Sequence, residues 1–179
     1  MIKTSTSHPI RIDHIDAGPA LGRIGMTFCP GKKDLLSLSG PWDRDLATDL
    51  DAIRDWGAAA VVTLIERHEF DLLQVNELGE GVVARQMKWF HLPIRDVSIP
   101  DNTFETEWIS AGEALQNLLH NGEDIVVHCR GGFGRAGTIA AKLMIELGHG
   151  SDKAIKAVRS TRPGTIETFE QEQYARSAQ

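Results

Sequence analysis

Apolar and polar residues alternate through Ile10-Arg11-Ile12-Asp13-His14-Ile15, the period of a half-buried strand, and residues 23–28 predict a second one after a Gly18-Pro19 turn. Leu46, Leu50, Ile53 and Trp56 then recur at helical spacing, with Asp43 placed to cap the helix and Gly57 to end it. Residues 59–65 are nearly all apolar and β-branched, the mark of a central strand covered on both faces. Glu66-Arg67-His68-Glu69 follows at the carboxyl end of that strand, where open sheets gather binding residues, although a solvated loop is the default reading. A short helix over 71–77, a Gly79-Glu80-Gly81 turn and a strand ending at 88–93 come next. The helical face Trp108, Ala111, Leu115, Leu118 and Leu119 stops at Gly122.

Residues 124–128 predict another strand, and a helix over 138–147 closes at Gly148. Ser151 is placed to cap a helix carrying Ala154, Ile155 and Val158, which Arg162-Pro163-Gly164 breaks; Thr168-x-x-Gln171 reads as a capping box for the last helix. Strands that alternate with helices, followed by a helical final third, predict an α/β domain over residues 1–179. Its central sheet is largely parallel, with helices on both faces.

Composition narrows the function classes. An apolar fraction of 41% with 25% charged residues is that of a globular protein. The longest apolar run, residues 58–65, is far short of the about 18 residues of a membrane span, and the polar start is no secretory signal, so a cytoplasmic protein is expected. A net charge of −6 argues against nucleic acid or an anionic membrane as partner, because both select clustered Lys and Arg. The pair Lys32-Lys33 reads as surface decoration first, with binding of an acidic partner as the alternative. The seven histidines have no metal-ligand spacing, so no metal is expected, and Cys29 and Cys129 are read as reduced thiols.

One stretch carries chemistry: His128-Cys129-Arg130-Gly131-Gly132-Phe133-Gly134-Arg135-Ala136-Gly137, between a strand and a helix. Its glycines let backbone N–H groups turn inward, and the following helix adds positive potential at its N-terminus, which together make an anion cradle. A cysteine in such a field, beside a guanidinium, is held as thiolate and becomes a nucleophile. Arg135 offers a planar fork to two phosphate oxygens. The amides of Arg130, Gly131, Gly132, Phe133, Gly134, Arg135 and Ala136 are the candidate phosphate-binding set.

This Cys-x5-Arg loop, with residues 21–33, 44–70, 91–101 and 164–174, resembles the cysteine-dependent dual-specificity protein phosphatases, in particular the kinase-associated phosphatase (cyclin-dependent kinase inhibitor) type. The resemblance implies a protein tyrosine phosphatase-like fold and a reaction without cofactor on a phosphorylated protein or peptide, through a phosphocysteine on Cys129. It carries the general-acid role to Asp96; Asp101 is the runner-up, but it also reads as a helix N-cap. His128 is expected to serve loop geometry through its ring. Two positions depart from the family pattern. Ala136 stands where most relatives have Ser or Thr to stabilise the departing thiolate, and Glu167 stands in place of a Gln, so its carboxylate is expected to point away from phosphate. Any Gln-like role would pass to Gln171 or Gln173. Arg130 raises a phosphoinositide substrate as an alternative that Phe133 disfavours, and the two departures raise a phospho-binding pseudophosphatase with little turnover.

Overall fold

The computed structural model describes residues 1–37 and 39–178. Its centre is a five-stranded sheet of β1 (Asp13–Asp16), β2 (Arg23–Phe28), β5 (Ala58–Thr63), β6 (Lys88–His91) and β7 (Asp124–Cys129), in the order β1-β2-β7-β5-β6. β1 runs antiparallel on one edge and the other four are parallel. β3 (Lys33–Asp34) and β4 (Trp42–Asp43) form a small separate ribbon.

The period-2 and buried runs decide which face each side chain covers. Val61, Ile65 and Val126 pack with Leu50, Ile53, Leu73, Leu78 and Val82 beneath helices α1 (Leu46–Trp56), α2 (Arg67–Leu73) and α3 (Leu78–Ala84). Their neighbours Ala60, Val62, Ile125 and Val127 face the opposite core. That core lies under α4 (Asn102–His120), α5 (Gly134–Glu146), α6 (Ser151–Thr161) and α7 (Phe169–Arg176). Leu50 and Ile53 are fully buried, and each such side chain stabilises the fold by about 1.5–3 kcal/mol. The helices on both faces and the mostly parallel sheet are those expected from the sequence.

Several local expectations are corrected. Asp45, not Asp43, caps α1, accepting the Thr48 N–H at 2.7 Å; Asp43 lies in β4 and pairs with Lys33. Gly79-Glu80-Gly81 is helical, because α3 packs against β6 and α1 so closely that a side chain at Gly79 would meet the Trp89 ring. Ser151 is the first residue of α6, capped by no side chain. Lys32 is buried, only 3% exposed, whereas Lys33 is on the surface. The Thr168–Gln171 capping box and the Asp101 cap on α4 are both formed. No helix among the described residues is long and apolar enough to cross a membrane.

Candidate active site

The parallel strands all end at one edge of the sheet, and the segments after β5, β6 and β7 meet there. Cys129 is the last residue of β7, paired with Phe28 of β2, and it is 3% exposed. Its sulphur accepts the Gly132 N–H at 3.2 Å. Gly132 has φ +77°, and a Cβ there would run into the Thr27 carbonyl, so the turn tolerates glycine alone. Arg162 fixes the rest of the loop. Its Nε donates to the Gly132 carbonyl at 2.7 Å and its Nη2 to the Gly131 carbonyl at 3.2 Å, while Asp13 holds its Nη1 at 2.7 Å. With those carbonyls held by Arg162, the loop amides are left for an anion. α5 starts at Gly134, so its N-terminal potential falls on the same place.

Arg135 is 2% exposed and is seized from behind. Its Nη1 donates to Glu69 Oε2 at 2.6 Å and to the Ile94 carbonyl at 3.1 Å, and its Nη2 donates to Glu69 Oε1 at 3.0 Å. Burial alone would weaken the charge on Arg135, but the Glu69 carboxylate, with Cys129 and Asp96, more than offsets it and holds the guanidinium protonated more firmly than usual. Burial likewise pushes the Glu69 carboxyl up, and the Arg135 bonds overcome it to bring it below the ordinary range. Asp96 Oδ1 lies 2.9 Å from Nη2 on the open side, with its side chain 53% exposed. It is shaped by the next residue: Asp96 Oδ1 accepts the Val97 N–H at 3.1 Å, and Val97 has φ +55°. A β-branched residue in that region costs on the order of 1–3 kcal/mol, strain of the kind that collects at functional sites.

Cys129, Arg130, Gly131, Phe133, Gly134, Arg135 and Asp96 line one cavity of about 840 Å³. Gly132 does not line it but donates its N–H to the Cys129 sulphur, and Ala136, also outside the lining, is fully buried in the first turn of α5. The Thr138 hydroxyl donates to the Gly134 carbonyl at 2.8 Å, so it does not substitute for the hydroxyl that Ala136 lacks. His128 is fully buried: Nε2 lies 2.8 Å from the Thr63 hydroxyl, which also receives the Trp89 indole N–H at 2.9 Å, and Nδ1 lies 3.4 Å from the Cys129 carbonyl. The ring therefore braces β7 against β5 and β6 more than it touches loop backbone.

Glu167 contradicts expectation. Its carboxylate lines the cavity and lies against Gly134, where the α5 N-terminus offsets its charge. The Gln171 amide is already committed, accepting the N–H groups of Glu167 and Thr168 and donating to the Ser98 carbonyl, and Gln173 is exposed on α7. The sequence also hid Glu69, Arg162 and Lys32. Glu69 left a trace as part of a charged stretch at a strand's carboxyl end, and Lys32 as half of a basic pair; Arg162 left none beyond a helix break.

Residues 34–175 match the family model described as "PTP-SAK: Swiss Army Knife protein, DSP-PTPase phosphatase domain". The chain belongs to the DSP-PTPase family. Protein tyrosine phosphatase type IVA 3 of Mus musculus is 30% identical over 128 residues, 70% of this chain and 68% of that protein. Cyclin-dependent kinase inhibitor 3 of Sus scrofa is 28% identical over 134 residues, 73% and 62% of the two chains. A kinase associated phosphatase structure, its catalytic cysteine replaced by serine, superposes with a TM-score of 0.80 at 24% identity, over 93% of this DSP-PTPase chain and 92% of that one. Across the curated relatives the matched segment spans between 32% and 68% of their length.

Proposed function

We propose that this DSP-PTPase domain, residues 1–179, hydrolyses phosphate monoesters of phosphotyrosine and phosphoserine or phosphothreonine in proteins. The observation that carries the reading is the convergence, in one cavity, of a sulphur receiving a loop N–H, a guanidinium anchored from behind and a carboxylate on its open side. In the first step Cys129 sulphur bonds to phosphorus as the phosphorus–oxygen bond to the substrate breaks, and Asp96 gives its proton to the departing oxygen. In the second, water bonds to phosphorus, the sulphur–phosphorus bond breaks, and Asp96 takes the proton from water. The loop amides and Arg135 hold the three equatorial oxygens, whose charge they oppose in both steps. Phosphate binding displaces Asp96 from Nη2, which frees the carboxyl to face the leaving group.

The reaction needs no cofactor or metal. A nucleophilic thiol requires a reducing compartment, which supports a cytoplasmic protein acting on phosphorylated proteins. The phosphoinositide reading loses ground because Arg130 is paired with Asp34 at 2.9 Å. Turnover of para-nitrophenyl phosphate and a phosphotyrosine peptide, abolished in Cys129→Ser, tests the proposal. Phosphopeptide binding without turnover in the unaltered protein would establish the pseudophosphatase reading instead.

A further inference from the structure

The cavity extends past Cys129 to a second basic group. Lys32 Nζ lies over the rings of Trp42 and Phe28, 4.5 and 5.0 Å from their centroids, and its hydrogen bond is a long one, 3.4 Å to the Arg130 carbonyl. It lines the cavity that holds the nucleophile, and no carboxylate lies within 4.0 Å of it among the described residues. The nearby carboxylate, Asp34, is spent on Arg130. A buried ammonium is ordinarily paired, and two aromatic faces offset only part of its lost hydration. Burial accordingly brings its pKa down to about 8, against the pull of Cys29, Asp34 and Cys129. The position is built to stay. The Gly31 N–H is held by Asp49 Oδ2 at 2.9 Å, the Lys32 carbonyl accepts the Arg44 N–H at 3.3 Å, and Asp49 is locked by a two-point bond to Arg44.

We propose that Lys32 forms a second anion subsite, and that the substrate is a phosphopeptide carrying another acidic group one or two residues from the phosphorylated one. This rests on the phosphopeptide reading above. The subsite is bonded to the residue directly after the nucleophile, and an extended chain advances about 3.3–3.6 Å per residue, so a neighbouring side chain reaches it. A peptide is favoured over an anionic lipid surface by the mouth itself. Leu36 and Phe133 expose apolar surface there, which the side chains flanking a phosphorylated residue can cover, and Lys32 itself is only 3% exposed inside the cavity, within reach of a single side chain and not of a flat surface of head groups. Glutamate, aspartate or a second phosphoresidue would supply the same anion.

The test is binding of labelled phosphotyrosine peptides to the Cys129→Ser protein, with glutamine, glutamate or phosphoserine at each flanking position. The expected result is about tenfold or greater preference for an anion at one position. The preference collapses to within about twofold when Lys32→Met is added, and persists or grows with Asp34→Asn, which releases Arg130. Equal affinity for acidic and neutral peptides at every position, a preference indifferent to Lys32→Met, or tighter binding of soluble inositol bisphosphate would overturn it. Para-nitrophenyl phosphate turnover by the unaltered protein is read alongside. Turnover without preference sinks the subsite alone, whereas preference without turnover sinks the phosphatase reading and leaves the subsite standing.

Discussion

Glu69 holds both terminal nitrogens of Arg135, at 2.6 and 3.0 Å, across 66 residues of sequence. The carboxylate sits behind the guanidinium and Asp96 in front, so the fork is aimed before any phosphate arrives. Such preorganisation is what a charge-stabilising group needs, because it spends no reorganisation as the reaction proceeds.

Removing Glu69 therefore tests a structural and a chemical consequence together. Glu69→Ala leaves a buried guanidinium with only the half-exposed Asp96 as counter-charge and is expected to lower stability by about 3 kcal/mol in urea denaturation. Glu69→Gln, which keeps one acceptor, is expected to cost less stability yet still reduce kcat/KM by about 10² through a misaimed Arg135. Unchanged kcat/KM in Glu69→Gln would show that Arg135 is aimed by the loop alone.

Asp96 predicts a dependence on the leaving group. A donated proton matters most when the departing oxygen is strongly basic. Asp96→Asn is therefore expected to slow an alkyl phosphate such as phosphoserine by about 10²–10⁴, and para-nitrophenyl phosphate much less. Equal losses for both substrates would move Asp96 from proton donor to a mere partner of Arg135, and Asp101→Asn should then be compared. Asp101 already caps α4 at 2.9 Å, a role Asn fills nearly as well, so Asp101→Asn is expected to leave stability and turnover nearly unchanged, whereas Asp101→Ala is expected to lower stability by about 1 kcal/mol with turnover intact.

Much of this was legible in the chain. β2 is bounded as its pattern implies, and β5 and β7 shift by a residue or two, because alternating and unbroken runs report burial directly; the short helix expected over 71–77 instead forms at Arg67–Leu73, where Glu66 and Glu69 make a capping box. The loop from Cys129 to Ala136 was legible for a different reason: its residues are contiguous, so spacing is geometry. Glu69 and Arg162 were not, because what they do depends on partners brought in by the fold; Arg162 reads locally as a helix breaker. Lys32 looked like surface charge because nothing nearby in sequence says that Trp42 and Phe28 close over it. Glu167 reads as turned away because repulsion from phosphate is a local argument, whereas the opposing N-terminus of α5 is brought to it by the fold.

Ala136 predicts accumulation of the intermediate. Neither Ala136 nor the committed Thr138 hydroxyl offers the departing thiolate a proton donor. Stopped-flow traces are expected to show a burst of leaving group followed by slow turnover, and Ala136→Ser is expected to speed the slow phase by about tenfold without changing the burst. An unchanged slow phase would mean that the sulphur leaves on loop amides alone.

His128 predicts a loss of stability in acid. Burial, with a lesser contribution from Arg135, pushes the imidazole from its ordinary 6.5 down to about 4, despite the opposing bond to the Cys129 carbonyl. The unfolded chain takes up this proton below about pH 6.5 and the folded one only near pH 4, so the stability is complete above that range and is lost as pH falls through it. Urea midpoints between pH 7 and 4.5 are expected to reveal roughly 2–3 kcal/mol that disappears in the His128→Gln variant. Identical pH profiles for the two proteins would contradict a neutral, buried imidazole.

On the proposed route, phosphate is transferred to Cys129 before water takes it. Acid quenching during the first turnover of a phosphotyrosine peptide, followed by mass spectrometry of the protein, tests this most directly. One phosphoryl group on the Cys129 segment, matched by one leaving group per molecule and absent from Cys129→Ser, is the predicted result. Turnover with no phosphoryl group on the protein, or turnover surviving in Cys129→Ser, would contradict it.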